Sequence, residues 1–333
     1  MRCIRLIALT AVGAGMLLGE ARAADRSEAV RLHSVTYADF RQALRRDTPP
    51  APATVGATLT FPDVAAERYP AVVVVHTIGG YQESNEGWQA AQLRHAGFAT
   101  LTYDSFAARG MSEASIVASR AEPPIASAIA DAYAALDMLA RHPKIDADRI
   151  AIVGFSFGGE VAHLTALARL HRALAPGERR FAAHVAYYPA GIYGATPEGG
   201  AYTGAPILLL LGDKDDNLPV AKVMEYLAYA RATGHPAPLD VIVYPGAYHA
   251  WTVSTLGRAR FYPQYESTRK CPLILFGAGR PTFLVGGAET PLDLDALQHC
   301  RQQGRGYTMA FDASIRAKST ADAVAFLRQH LSP

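Results

Sequence analysis

The residues with the clearest chemical potential surround Ser156, which lies in the sequence GFSFG at 154–158. An apolar run, Ile150 to Val153, precedes this G-x-S-x-G pattern, and a helical pattern follows it. Such a context is typical of a tight strand-to-helix turn, in which flanking glycines hold a serine at the tip. We therefore predict that Ser156 is a nucleophile and that the Phe157 amide, at the helix N-terminus, faces a developing oxyanion. A serine kept in this turn for packing alone is the alternative.

A serine hydroxyl needs a base and an orienting carboxylate before it can attack a carbonyl carbon. His249 follows a predicted strand, Leu239–Tyr244, and a Pro-Gly turn, and we predict that it is the base rather than a structural histidine. Three aspartates follow the preceding strand and compete for the acid position. We predict Asp215, whose place in the turn lets its side chain point back toward the histidine, over Asp216 and then Asp213.

Three other residues near predicted strand ends are candidates for binding roles. Ile78, in HTIGG at 76–80, is the best placed second amide for an oxyanion, with a simple glycine turn as the alternative. Arg109 lies just past another strand and is a candidate partner for a substrate carboxylate, with a structural ion pair as the alternative. Trp251, two residues after the predicted base, is a further candidate for substrate binding.

The positions of these residues require an α/β architecture. Apolar runs without alternation predict strands covered on both faces, and the helix–turn–strand–turn–helix order around Ser156 predicts a right-handed crossover in a mostly parallel sheet. We expect residues 25–47 to be an entry segment with helical character. The main predicted elements are the strands Thr54–Phe61, Ala71–Val75, Phe98–Tyr103, Phe181–Tyr188, Ala205–Leu211 and Leu239–Tyr244, and the helices Ile125–Arg141, Val220–Ala232 and Ser319–Leu331.

The N-terminus is predicted to be a signal peptide over residues 1–23. Arg2 and Arg5 precede an apolar stretch, Leu6 to Leu18, and small residues occupy the two positions that a signal peptidase inspects. We expect cleavage after Ala23 and export to the periplasm or the medium, with no stable membrane insertion afterwards. An uncleaved membrane anchor is the alternative, and the short apolar run disfavours it.

We expect residues 24–333 to form one domain with an insert at about 252–318, directly after the predicted base. Two apolar runs, CPLILFG and RPTFLVGG, lie in this insert, which either roofs the site or is a peripheral addition. Its Cys271 and Cys300 would be the only cysteines left after signal cleavage. An even pair in an exported protein predicts a disulfide, with two buried thiols as the alternative.

Taken together, the motifs resemble the dienelactone hydrolase family of the α/β-hydrolase superfamily. The likeness rests on VVVVHTIGG at 72–80, YDSFAARG at 103–110, GFSFGG at 154–159, LLLLGDKDD at 208–216 and YPGAYHAW at 244–251. It implies the α/β-hydrolase fold, a triad of Ser156, Asp215 and His249, and hydrolysis of small esters or lactones. The chain departs from the family in two places, with a serine instead of a cysteine nucleophile and Thr77 where the family carries a glutamate.

Composition and the lack of other motifs exclude several functions. The 333 residues are 50% hydrophobic and carry a net charge of +2, with basic residues scattered rather than clustered, which argues against nucleic acid as a partner. We find no His-Glu-x-x-His pattern, P-loop or dinucleotide fingerprint, so we expect no metal and no cofactor. The expected partner is a small ester or lactone. A serine peptidase acting on short peptides and a non-catalytic binding protein on the same fold are the alternatives, and the oligomeric state is left open.

Overall fold

The structure, a computed structural model, describes residues 26–45, 48–119, 124–191, 193–196 and 200–331. The predicted signal peptide lies outside these residues. The first nine strands are β1 Ser27–Thr36, β2 Ala51–Thr60, β3 Tyr69–Val75, β4 Ala99–Tyr103, β5 Ile145–Phe155, β6 Ala183–Tyr187, β7 Tyr193–Ala195, β8 Ile207–Gly212 and β9 Leu239–Tyr244. All except β7 form one sheet in the order β1-β2-β4-β3-β5-β6-β8-β9. The strands from β4 to β9 in this order pair in parallel, and β1 and β2 add antiparallel at one edge.

Helices cover both faces of this sheet. In the described residues the α-helices are α1 Phe40–Arg45, α2 Trp88–His95, α3 Glu113–Ser119, α4 Ile125–Arg141, α5 Phe157–Leu164, α6 Ala168–Leu174, α7 Val220–Ala232, α8 Leu294–Gln303 and α9 Ala313–Leu331, and a π-helical turn, Glu83–Gly87, precedes α2. Helices α4 and α5 pack on one face, and α2 and α9 pack on the other. Residues 71–75 of β3 are therefore fully buried, which is why that strand is apolar without alternation. The predicted α/β class with a mostly parallel central sheet is confirmed.

Two segments differ from the sequence-based expectation. Residues 27–36 form β1 instead of a helical entry segment, because Val30 and Leu32 face the core while the whole strand pairs with β2. The closing helix begins at Ala313, before the predicted Ser319. Asp312 caps its first turn, accepting a hydrogen bond from the Ile315 amide at 2.9 Å. None of the helices in the described ranges is both long and apolar enough to cross a membrane.

The insert contains strands of its own. Strand β10 Arg260–Tyr262 pairs with β14 Tyr307–Met309. Strands β11 Leu273–Phe276, β12 Thr282–Val285 and β13 Ala288–Pro291 join β7 in a four-stranded sheet. An isolated bridge joins Met309 of β14 to His249, so the insert contacts the loop that carries the predicted base.

Candidate active site

Ser156 lies at the tip of the turn between β5 and α5. Its backbone φ is 51°, in the left-handed region that residues other than glycine rarely adopt. The turn closes because Gly154 and Gly158 have no Cβ. A Cβ on Gly154 would collide with the Gly158 carbonyl, and one on Gly158 would collide with the Val75 carbonyl. The serine is therefore held in the strained position that its sequence pattern predicts.

Three side chains from three strand ends form one hydrogen-bonded chain. The Ser156 hydroxyl lies 2.8 Å from Nε2 of His249, and Nδ1 of His249 lies 2.8 Å from Oδ2 of Asp215. Nδ1–H can therefore donate to the carboxylate while Nε2 accepts from the serine, which is the tautomer that a general base requires. All three side chains are buried. The other carboxylate oxygen, Oδ1 of Asp215, accepts from the amides of Asn217 and Leu218 at 2.9 and 3.2 Å, which fixes the acid in place.

The two competing aspartates have structural partners. Asp216 accepts hydrogen bonds from the Thr308 amide at 2.7 Å and from Arg269 at 3.3 Å. Both partners belong to the insert, so Asp216 attaches the insert to the loop that carries the acid. Asp213 accepts from the Gly246 amide at 2.6 Å and steadies the turn before the histidine. Of the three aspartates, Asp215 is the one that reaches His249.

The two amides predicted to bind an oxyanion differ from their neighbours in hydrogen bonding. Among the described residues, neither the Phe157 amide nor the Ile78 amide has an internal hydrogen-bond partner. The amides around Ile78 are engaged, since Thr77 donates to Glu86 at 3.0 Å and Gly79 donates to Oγ1 of Thr77 at 3.2 Å. These hydrogen bonds hold the residues on both sides of Ile78, whose amide is the predicted donor from this loop.

The structure contradicts a substrate-binding role for Arg109. Its side chain is almost fully buried and forms a bidentate ion pair with Asp131, at 2.7 and 2.9 Å. The remaining donors go to Oγ1 of Thr36 and to the carbonyls of Val35 and Ser105. All five guanidinium N–H groups are therefore used inside the protein. Arg109 is the structural ion pair that was the alternative interpretation.

Trp251 is not a substrate contact either. The residue is 0% exposed, and its indole N–H donates to Oγ of Ser319 on α9 at 3.0 Å. Its ring packs edge-on against Tyr188, with 4.6 Å between centroids. Trp251 therefore packs under the loop that carries His249, and its side chain is not accessible to a ligand.

Several residues at the site carry no sequence signal. Tyr307 of the insert places its ring edge-on to His249, with 4.9 Å between centroids, and Tyr265 packs against Tyr307 at 5.7 Å. The Tyr265 hydroxyl donates in turn to the Glu113 carboxylate on α3. The insert therefore forms an aromatic wall beside the histidine and is linked to the segment after β4. Nothing local marks these tyrosines, because their partners are distant in sequence.

Cys271 and Cys300 lie where a disulfide can form. Their Cα atoms are 5.0 Å apart and their sulfurs are at bonding distance. Both residues are buried. The pair joins the start of β11 to α8 within the insert, and its oxidation in the native protein stays a prediction.

One further acid lies near Ser156. Glu160 is on α5, one turn after Ser156, and its amide donates to the Ser156 carbonyl at 2.9 Å. Burial raises the pKa of Glu160 to about 7, and a hydrogen bond with Tyr193 opposes this shift. Glu160 can therefore change its charge near neutral pH, one helical turn away from the serine.

Comparisons with known proteins agree with this fold. The family model described as "Dienelactone hydrolase family" matches residues 55–270. A dienelactone hydrolase-like promiscuous phosphotriesterase from metagenomic libraries is 18% identical with a TM-score of 0.54, covering 92% of this chain and 99% of its own. A protein described as a candidate dienelactone hydrolase, from Klebsiella pneumoniae subsp. pneumoniae MGH 78578, is 20% identical with a TM-score of 0.46. The match covers 68% of this chain and 90% of the Klebsiella protein. An esterase from Thermogutta terrifontis is 16% identical with a TM-score of 0.45, and the match covers 59% of this chain and 79% of the esterase.

At 18% identity, the metagenomic phosphotriesterase shows a shared fold and nothing finer. No curated protein matches the chain in sequence.

Proposed function

The chain belongs to the dienelactone hydrolase family, and from that premise we propose that it is a serine hydrolase that cleaves small carboxylic esters or lactones through an acyl-enzyme. The family supports ester hydrolysis. The observation that carries the finer proposal is the hydrogen-bonded chain from Ser156 through His249 to Asp215, with both links at 2.8 Å. An isolated serine would be a weak nucleophile, whereas this arrangement removes its proton as it attacks.

The first half of the reaction forms the acyl-enzyme. Oγ of Ser156 attacks the carbonyl carbon while Nε2 of His249 takes the hydroxyl proton, and Asp215 stabilises the resulting imidazolium. The negative charge that develops on the carbonyl oxygen is held by the amides of Phe157 and Ile78, with support from the N-terminus of α5. As the tetrahedral intermediate collapses, the C–O bond to the alcohol breaks and the histidine returns its proton to the leaving oxygen.

The second half releases the acid. A water molecule attacks the acyl carbon while His249 takes one of its protons, and the serine oxygen then leaves with that proton. With a lactone, alcohol and acid remain joined, so a single hydroxy acid is released. With an ester, two products separate.

The aromatic surroundings of the site favour apolar substrates. Tyr307 and Tyr265 form a wall on one side of His249, and Phe106 and Phe157 are in contact near His76 at the oxyanion side, with 5.1 Å between ring centroids. Phe106, Phe157 and Tyr307 are themselves buried, so they make the surroundings of the triad apolar and offer no cluster of charge for a large polar ligand.

Export and the disulfide are part of the same proposal. We infer cleavage of the signal peptide after Ala23 and oxidation of Cys271 with Cys300, and the close approach of the two sulfurs supports the second step. Mass analysis of the secreted chain should show Ala24 as the first residue. Thiol labelling of the denatured, unreduced protein should find no free thiol, and two labelled thiols would reject the disulfide.

The functional test is hydrolysis of matched ester and amide substrates by the purified mature protein. We expect turnover of short-chain aryl esters, a much slower reaction with the matched amides, and a loss of roughly four or more orders of magnitude in kcat in Ser156→Ala. Faster cleavage of the amides would favour a peptidase. No turnover of any substrate by the folded wild type would favour a binding protein, and unchanged turnover in Ser156→Ala would reject the triad.

A further inference from the structure

Glu86 is a completely buried carboxylate that joins the two ends of the oxyanion-side loop, residues 77–82. Its Oε1 accepts hydrogen bonds from the Thr77 amide at 3.0 Å and from Nδ2 of Asn85 at 2.8 Å, and its Oε2 accepts from the Gln82 amide at 3.0 Å. The residue is 0% exposed. Among the described residues no cation lies within ion-pairing distance of it.

A buried carboxylate is costly unless hydrogen bonds compensate for lost water. Burial accordingly raises the pKa of Glu86 above its usual range, and the hydrogen bond from Thr77 opposes that rise. A neutral residue would fill the same space at lower cost. An acid at this buried position is explained by its two oxygens, which hold the two ends of one short loop.

The same carboxylate is connected to the catalytic histidine's surroundings. Oδ1 of Asn85 accepts from the Thr252 hydroxyl at 2.8 Å, and the Tyr188 hydroxyl donates to Thr252 in turn. The Tyr188 ring lies edge-on to the His249 ring, with 5.1 Å between centroids. Each group in this series of hydrogen bonds therefore donates in the direction of the Glu86 carboxylate. Tyr188, Thr252, Asn85 and Glu86 are all buried.

We propose that Glu86 is a positioning residue that fixes the Ile78 amide for oxyanion binding, and that Asn85, Thr252 and Tyr188 couple this position to His249. The inference rests on the proposed hydrolase function. It assigns to Glu86 no contact with substrate: the carboxylate acts through the Thr77 amide, one peptide unit before the donor.

The physical reason is the precision that an oxyanion donor requires. A useful donor lies about 2.7–3.1 Å from the developing charge, and losing one such donor typically costs about 10²- to 10³-fold in kcat. The loop contains Gly79 and Gly80, and Gly80 has a φ of 75°, so its own backbone preferences restrain it weakly. Glu86 restrains both ends of the loop by holding Thr77 and Gln82 at once, while Asp104 accepts from the Tyr81 amide between them at 3.0 Å.

The test uses Glu86→Gln, with Glu83→Gln as the matched control. A glutamine presents one N–H₂ group, so either the Thr77 or the Gln82 amide would face a donor and lose its acceptor. Glu83 belongs to the same turn, but its carboxylate accepts from the Tyr81 hydroxyl at an exposed position. Thr252→Val, which removes the hydroxyl that links Asn85 to Tyr188, is the second variant.

Two readouts are needed. One is kcat and KM for a short aryl ester. The other is amide hydrogen exchange over 77–82, with β8 (Ile207–Gly212) as an internal reference for global folding. For Glu86→Gln we expect a roughly 10- to 100-fold loss of kcat, a KM within about 3-fold of wild type, and at least about 10-fold faster exchange over 77–82. Thr252→Val should lower kcat and speed exchange over 77–82 by smaller factors, and Glu83→Gln should match the wild type in both.

The outcomes separate this inference from the function on which it rests. If the wild type fails to hydrolyse esters but exchange over 77–82 rises in Glu86→Gln, the proposed function fails and the anchoring of the loop stands. If exchange over 77–82 and kcat stay at the wild-type values in Glu86→Gln, the positioning role is overturned. If β8 also loses protection in that variant, it has unfolded, and unchanged exchange and kcat in Thr252→Val then overturn the proposal.

Discussion

The ring edge of Tyr307 lies against the imidazole of His249, with 4.9 Å between the two centroids. Tyr307 belongs to β14 and reaches the histidine from an insert that follows it in sequence. The bridge between Met309 and His249 places the same strand beside the loop. The insert is therefore part of the site's wall, and the interpretation of it as a peripheral addition is not supported.

Tyr307→Ala should reduce kcat for a short aryl ester by roughly 3- to 10-fold, since an aromatic contact of this kind is worth about 0.5–1.5 kcal/mol. Tyr307→Phe keeps the ring and should stay within about 2-fold of the wild type. The control is Phe261→Ala on β10, an exposed aromatic of the same insert. Equal kcat values in Tyr307→Ala and the wild type would show that the ring does not help to hold His249.

Asp215→Asn should abolish most turnover, whereas Asp216→Asn should change it little. The amide at 215 cannot stabilise an imidazolium and favours the wrong tautomer of His249, so we expect kcat to fall by about 10⁴-fold. Asp216 binds Thr308 and Arg269 of the insert, and its variant should retain most of the wild-type kcat. Steady-state kinetics of the two variants decide the assignment, and the reverse pattern would make Asp216 the triad acid.

Arg109→Ala should destabilise the protein by about 3–5 kcal/mol, because it leaves the buried carboxylate of Asp131 without its cation. The measurement is the free energy of unfolding in urea. The matched control is Arg141→Ala, whose i,i+4 pair with Asp137 is exposed and should be worth about 1 kcal/mol or less. A KM increase without loss of stability in Arg109→Ala would restore the substrate-binding role.

Two buried histidines should each destabilise the protein as the solution is acidified, because they resist protonation, whereas Glu160, whose pKa burial raises to about 7, acts in the opposite sense over the same pH range. Burial lowers the pKa of His163 to about 4 and that of His184 to about 3. Their unfolded values are near 6.5, so between about pH 6.5 and pH 4 the unfolded chain binds more protons than the folded one. Each histidine should then cost about 1.4 kcal/mol per pH unit as the pH falls through this window.

Urea unfolding from pH 7 to 4.5 tests this, with His184→Gln beside the wild type. Relative to the wild type, His184→Gln should become steadily more stable as the pH falls, and His235→Gln, which replaces an exposed histidine, should keep the wild-type pH dependence. Parallel curves for His184→Gln and the wild type would contradict the assignment.

The sequence allowed the fold class and the meeting of Ser156, Asp215 and His249 to be predicted, because each lies at the end of a buried strand and parallel strands bring their carboxyl ends to one edge of a sheet. It did not allow the partners of single side chains to be predicted. Arg109 is paired with an aspartate on α4, and Trp251 packs beneath its own loop. These outcomes depend on packing between distant segments.

The dependence on packing between distant segments also explains why the role of Glu86 and the strand β1 were not predicted. Glu86 lies in a turn that looks polar and exposed in sequence, and its burial follows from the approach of the His249 loop, which delivers Thr252 to Asn85. Strand β1 alternates between partly buried and exposed residues, a weak signal by itself. Its assignment as a strand depends on the pairing with β2.

The most direct test of the central claim is labelling of the mature protein by a fluorophosphonate, followed by intact mass and peptide mapping. An activated serine should react once per chain, with the adduct on Ser156, and Ser156→Ala should take up no label. An absence of any adduct in the folded wild type, or an adduct on another residue, would contradict the proposal that Ser156 is the nucleophile.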